Sequence, residues 1–159
     1  MESLGRRGFF GALGALITER EVKTRPPYAR ESVKFGELCP QCDGVCATAC
    51  EEKIIKIGKD KLPYLDFSQN GCSDCKACLE VCEPGVLSDP EHFIAASVRL
   101  NAARCMSWSD VICFSCKEPC MEDAIVFQGV FKPEIHNDLC TACGYCIARC
   151  PSGAIEIVA

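Results

Sequence analysis

The chain has 159 residues, a formal net charge of −5 and 48 % hydrophobic residues. That length suits one domain or two very small ones. The acidic balance, without clustered Lys or Arg, argues against a nucleic-acid binder, and no apolar run approaches the ~18 residues of a membrane span. Sixteen residues are cysteine, a density that makes sulfur chemistry the first question.

In chain order, residues 1–38 read as an N-terminal arm and proline-containing linker. Arg6-Arg7-Gly8-Phe9-Phe10 precedes a short apolar stretch from Gly11 to Ile17, which resembles a twin-arginine export signal. Glu19, Arg20, Glu21 and Lys23 follow at once, and no small-x-small cleavage site appears where one would be expected. An uncleaved arm is therefore expected. Arg25-Pro26-Pro27-Tyr28 then imposes an extended path along the folded body.

The remainder is an internal repeat. Cysteine groups begin at Cys39, Cys72, Cys105 and Cys140, a spacing of 33 to 35 residues. The groups are Cys39-Cys42-Cys46-Cys50, Cys72-Cys75-Cys78-Cys82, Cys105-Cys113-Cys116-Cys120 and Cys140-Cys143-Cys146-Cys150. Ile54 to Ile57, a turn at Gly58-Lys59-Asp60-Lys61, and Tyr64 to Phe67 predict a hairpin after the first group. Residues 93–100 alternate, with Ile94, Ala96, Val98 and Leu100 on one face, as a strand would. Ala124 to Phe127, a Gln128-Gly129 turn, and Phe131 to Ile135 predict a second hairpin, and Ala154 to Val158 a last strand. A short helix is expected across each Cys-x3-Cys. The predicted fold is α+β, with two tandem bacterial ferredoxin-like units at 39–100 and 101–159, each pseudo-repeat binding two [4Fe–4S] clusters.

The chemistry follows from spacing. The second and fourth groups read C-x2-C-x2-C-x3-C, the bacterial ferredoxin run for a [4Fe–4S] cluster. Each cube takes one thiolate per iron, so the sixteen cysteines match four clusters. Three thiols of a run converge on one cube, while the fourth sits a helical turn away. In two-cluster ferredoxins that fourth cysteine completes the neighbouring cluster. By that analogy Cys39, Cys42 and Cys46 take Cys82, and Cys72, Cys75 and Cys78 take Cys50. Likewise Cys105, Cys113 and Cys116 take Cys150, and Cys140, Cys143 and Cys146 take Cys120.

Rival readings fit less well. A disulfide scaffold does not usually repeat C-x2-C-x2-C, because a bridge inside so short a turn is strained. Structural zinc favours C-x2-C pairs separated by a long loop, or Cys/His mixtures. The two histidines, His92 and His136, lie outside the groups. Two departures stand out. Asp43-Gly44-Val45 puts one extra residue into the first group, which Gly44 can absorb as a bulge. The third group carries seven residues between Cys105 and Cys113, including Trp108, either as a shield or as a recognition loop. Trp108, Phe114 and Tyr145 beside the cysteines are expected to act as apolar lids rather than electron relays. With no Gly-rich phosphate loop and no nucleophile–base pair, an enzyme active site is not expected.

Taken together, Arg6-Arg7-Gly8, Arg25-Pro26-Pro27, the four groups and the stretched Cys105-x7-Cys113-x2-Cys116-x3-Cys120 resemble the NapF family, ferredoxin-type accessory proteins of the periplasmic nitrate reductase system. The similarity covers nearly the whole chain, and the extra residue in the first group departs from the family. The resemblance implies a cytoplasmic iron–sulfur protein that contacts the catalytic subunit of that reductase before export and assists its maturation or cluster assembly. The alternatives are a stand-alone electron carrier serving redox partner proteins, or an electron-input subunit of an anaerobic oxidoreductase. Periplasmic location by twin-arginine export is the alternative for the compartment.

Overall fold

The computed structural model describes residues 23–29, 35–91 and 93–159. The Arg6-Arg7 arm and its apolar stretch lie outside the described residues, as does His92. The elements are short helices and strands: α1 (Phe35–Leu38), in the stretch read as linker, then α2 (Val45–Ala49), β1 (Ile55–Ile57), β2 (Pro63–Leu65), α3 (Ala77–Glu80), β3 (Ser97–Leu100), β4 (Ile125–Gln128), β5 (Phe131–Ile135), α4 (Tyr145–Arg149) and β6 (Ile155–Val158). No described helix is long and apolar enough to cross a membrane.

Both hairpins form where the turn residues place them. β1 pairs antiparallel with β2, Ile55 opposite Leu65 and Ile57 opposite Pro63. The turn is closed by the Asp60 side chain, which accepts from the Leu62 amide at 3.1 Å. This is the local competition with regular structure that short polar side chains provide. β4 pairs antiparallel with β5, Ile125 opposite Ile135, with a register shift between Phe127 and Gln128. Gly129 at φ 68° lies in this turn, in the left-handed region that glycine adopts freely.

The alternating run at 93–100 yields a strand only over its last four residues. The Ala96 amide donates to the Ile94 carbonyl at 2.9 Å, so the chain turns there instead of pairing. What remains, β3, pairs antiparallel with β6: Val98 opposite Ile157 and Leu100 opposite Ile155. The segment before group three thus joins the segment after group four. An isolated bridge between Ala29 and Leu87 makes the corresponding closure around the first two groups.

That bridge brings residues 23–29 into the body. Tyr28 is 1 % exposed, and its carbonyl accepts from the amides of Ser88 and Asp89. The Thr24 carbonyl accepts from Leu65, and Arg25 donates to the Pro63 carbonyl at 2.8 Å. A helix forms across Cys-x3-Cys in groups one, two and four but not in group three. There Pro119 has no amide hydrogen to donate and disfavours the helical conformation at Glu118. The stretch is a run of turns, with Lys117 donating to the Phe114 carbonyl and Cys120 to the Lys117 carbonyl.

The core is one contiguous cluster that includes Tyr28, Ile54, Ile55, Leu65, Phe67, Val98, Ile125 and Ile155 together with Cys78, Cys116 and Cys146. Cysteine sulfur is part of the packing, so the core is small for the chain length. Truncating a fully buried aromatic costs about 3–5 kcal/mol. Tyr28→Ala should lower the unfolding free energy by about that amount in urea melts, and Tyr28→Phe by about 1 kcal/mol for the lost hydrogen bond. A loss below about 1 kcal/mol for Tyr28→Ala would mean that residues 23–29 only lie alongside the fold.

Candidate iron–sulfur centres

Convergence of the thiols begins with the backbone. In group two, Asp74 (φ 54°) and Lys76 (φ 64°) are left-handed, and in group four Ala142 (φ 55°) and Gly144 (φ 84°) are. The two loops therefore bend at the same two positions. Three of these four residues are not glycine, and each left-handed L-residue costs roughly 1–2 kcal/mol. Strain repeated at matched positions marks a site whose geometry is imposed from outside the loop. Lys76 and Gly144 are also the N-caps of α3 and α4, which carry Cys78 and Cys146.

Group one reaches the same end by another route. Cys39–Gln41 form a 3-10 turn, and Gly44 at φ 70° is the left-handed N-cap of α2. Gly44 thus takes the position of Lys76 and Gly144, and Asp43 is the residue inserted ahead of it. The space is tight as well: a Cβ on Gly44 would lie 2.9 Å from Ile57 Cγ1.

The third-group insertion forms a 3-10 turn over Met106–Ser109. Ser107 is 1 % exposed, and its hydroxyl donates to the carbonyls of Val111 at 3.2 Å and Cys113 at 2.9 Å. The loop is pinned from inside while Ile112 is 67 % exposed at its tip. Trp108 donates to the Pro133 carbonyl at 3.2 Å and is partly exposed, so it braces the loop on β5. Phe114 packs on Phe127 with ring centroids 4.8 Å apart.

Four sets of thiols result. Cys39, Cys42, Cys46 and Cys82 line a narrow cleft with Phe35, Pro63 and Leu87. Cys50, Cys72, Cys75 and Cys78 line a second with Tyr28, Ile54 and Ile55. Cys120, Cys140, Cys143 and Cys146 share the walls of a larger cavity of about 340 Å³ with Ile94, Val98, Ile125 and Ile135. The thiols of Cys105, Cys113 and Cys150 bear on Cys116. In every set the fourth member comes from the other cysteine group of the same half. All sixteen thiols are free of disulfides. Among the described residues no group of three or more His, Cys, Asp or Glu side chains is arranged to hold a single metal ion.

Electrostatics agree with that donor set. Burial, then neighbouring thiols, pushes Cys46 up to about 11 and Cys78 to about 12. Burial likewise pushes Cys72 and Cys116 to about 11 and Cys146 to about 12, opposed in part at Cys72 and Cys116 by backbone hydrogen bonds. Such thiols stay protonated at neutral pH unless a cation takes the proton's place. At Cys150 burial acts upward, but hydrogen bonds from Ser152 and from backbone amides outweigh it and hold the thiol below its ordinary value. The Ala154 amide reaches Cys150 Sγ at 3.2 Å, and the Leu87 amide reaches Cys82 Sγ at 3.3 Å. Amide donors aimed at sulfur stabilise thiolate and tune a bound cluster.

The comparisons with known proteins now bear on this geometry. Residues 133–156, around group four, match the family model described as a 4Fe-4S binding domain. The ferredoxin-type protein NapF of Escherichia coli (strain K12) is 35 % identical over 136 residues, covering 82 % of each chain. NapF of Haemophilus influenzae is 29 % identical across 99 % of this chain and 95 % of its own. The ferredoxin-type protein NapG of Escherichia coli (strain K12) is 26 % identical over 81 % of this chain and 66 % of its own. The chain belongs to the NapF family of ferredoxin-type proteins.

Three features of this NapF-family chain escaped the spacing argument. The Tyr28 hydroxyl donates to Asp74 Oδ1 beside the second thiol set; burial and that carboxylate push its pKa well above the usual tyrosine range. The Tyr145 hydroxyl donates to Glu52 Oε1 at 3.1 Å, so Tyr145 is not a plain apolar lid. Burial and Glu52 push it up to about 12. Ser152, whose hydroxyl lies 3.6 Å from Cys150 Sγ, is the third.

The crossed sets are tested by single substitutions. Cys82→Ala is expected to remove the iron bound at Cys39, Cys42 and Cys46 and to leave that bound at Cys140 in place. Iron and sulfide analysis with Mössbauer or EPR spectra of the anaerobic protein reads this. Loss confined to the iron at Cys72 would establish sequential ligation instead.

Proposed function

We propose that this chain is a maturation factor for the catalytic subunit of the periplasmic nitrate reductase, acting in the cytoplasm before that subunit is exported. It binds four [4Fe–4S] clusters through its sixteen cysteines in two tandem ferredoxin-like units. The observation that carries the reading is the grouping of every cysteine into four sets of four, crossed within each half. β3 pairs with β6, and Ala29 with Leu87, which supports placing the division between the units ahead of β3 rather than after residue 100. NapF-family membership supports the Nap system as the setting, and the acidic chain suits a partner with a basic face.

The residues present fit the group. Each cluster supplies one-electron redox chemistry when bound. This chain's part is to hold the four thiolates, to direct amides at sulfur, and to keep water from the inner faces with Ile54, Ile55, Ile125 and Ile135. A stand-alone electron carrier is the second reading, favoured by the close approach of thiol sets from the two halves described below.

Anaerobically purified protein should contain about sixteen iron and sixteen sulfide per chain. An iron chelator should unfold it, because ligation supplies much of the folding free energy of so small a core. About four iron, or stoichiometric zinc, would sink the four-cluster assignment. For the function, affinity capture from cytoplasm should retain the apo-precursor of the reductase catalytic subunit. Capture that fails while the purified protein is reduced rapidly by a quinol or hydrogenase system would favour the carrier.

A further inference from the structure

The two halves touch through their cysteine loops. The Cys72 amide donates to the Cys143 carbonyl at 2.7 Å, a direct backbone bond between the second and fourth groups. Each of these cysteines has a glycine beside it, and each glycine meets the opposite half. A Cβ on Gly71 would lie 2.5 Å from the Tyr145 amide nitrogen. A Cβ on Gly144 would lie 2.2 Å from Cδ1 of Phe67, and Gly144 is also left-handed. Neither position has room for a side chain. The Tyr145–Glu52 hydrogen bond closes the same seam from its edge.

The consequence is an order among the thiol sets. Cys72 and Asp74 line the cavity that contains Cys120, Cys140, Cys143 and Cys146, so the set completed by Cys50 adjoins the set completed by Cys120. Within the first half, α2 carries Cys46 of one set and is capped by Cys50 of the next. Within the second, α4 carries Cys146 of one set and is capped by Cys150 of the other. The sets therefore succeed one another: the Cys39 set, the Cys72 set, the Cys140 set, the Cys105 set.

We propose that Gly71 and Gly144 are positioning residues that lock the two halves into a single four-site electron path, with the seam between Cys72 and Cys143 as its middle link. This rests on the four-cluster reading above. The exchange along the path moves one electron between neighbouring sites of one kind. No bond is made or broken and no proton moves, and the electron enters from an external one-electron reductant. Nothing in the cysteine spacing requires the two halves to meet, since each half completes its own ligand sets.

The test uses the full-length protein with dithionite as reductant and low-temperature EPR as readout. Cys42→Ala with Cys113→Ala leaves the inner two sites, and Cys75→Ala with Cys143→Ala leaves the outer two. Each should retain about eight iron per chain; that analysis tests the cluster reading separately. The inner pair is expected to show the broadened, split signal of two interacting spins, and the outer pair two independent signals. Adding Gly71→Ala to the inner pair should abolish the splitting with iron content unchanged. Independent signals from an inner pair that holds its iron would overturn the proposal. Should either double variant lose more iron, the otherwise intact holoprotein decides. Fully reduced Gly71→Ala protein that keeps its iron must then give a narrower signal than the parent, and an unchanged signal overturns the proposal.

Discussion

Sulfur gathered in fours resists being gathered. Cys46, Cys78 and Cys146 sit in partly buried surroundings that disfavour their charge, beside other thiols whose charge would repel it, and both effects push them far above an ordinary thiol. A chain with no cation to offset this keeps its sulfurs protonated or moves them apart. Under the proposed reading iron supplies the missing positive charge, and fold and cofactor become one equilibrium. The modest apolar core follows from this. Ile54, Ile55, Ile125 and Ile155 close over the sulfur sets but are too few to hold sixteen cysteines in place unaided.

The secondary structure is short for the same reason. β1 and β2 have three residues each, and no described helix exceeds five. Isolated helices of that length are unstable in water, and a lone hairpin is marginal. What these elements do is aim. A left-handed residue at the N-caps of α2, α3 and α4 turns the loop so that Cys46, Cys78 and Cys146 enter on the inner face. The hairpins then return the chain so that the next group lies opposite. Lys76 accepts an unfavourable backbone conformation for this, where Gly44 and Gly144 do not have to.

Much of this was written in the cysteine spacing. The groups, both hairpins and the last strand are local features, with turn residues such as Gly58 and Gly129 at their corners, and local signals are what a single sequence carries. Pairings between distant segments are not. Nothing in Ser97–Leu100 announces that its partner is Ile155–Val158 rather than a neighbour. Nor do two prolines before Tyr28 announce that its ring will be buried against the second thiol set. The last three cysteines of group three keep the spacing of the others, yet Pro119 denies the group their helix, a consequence that was legible and easy to pass over. The glycine seam was the least visible, because Gly71 precedes its motif and reveals nothing until Tyr145 is seen against it.

Under the proposed reading, crossing of ligands has a structural consequence of its own. α2 carries Cys46 to one set and ends on Cys50, which belongs to the next. The α3 segment does the reverse with Cys78 and Cys82, and α4 repeats the arrangement with Cys146 and Cys150. Each of these short helices is therefore held at both ends by different thiol sets, and a shift at one set is felt at its neighbour through a single helical turn. Between the halves the same role falls to a backbone hydrogen bond and two glycines that leave no slack. Interfaces packed this closely are discrete rather than continuously deformable. A chain with few buried side chains thereby obtains rigidity from its connections, and the distances between sulfur sets, on which any electron exchange among them depends, are fixed by backbone contacts instead of by the bulk of a hydrophobic core.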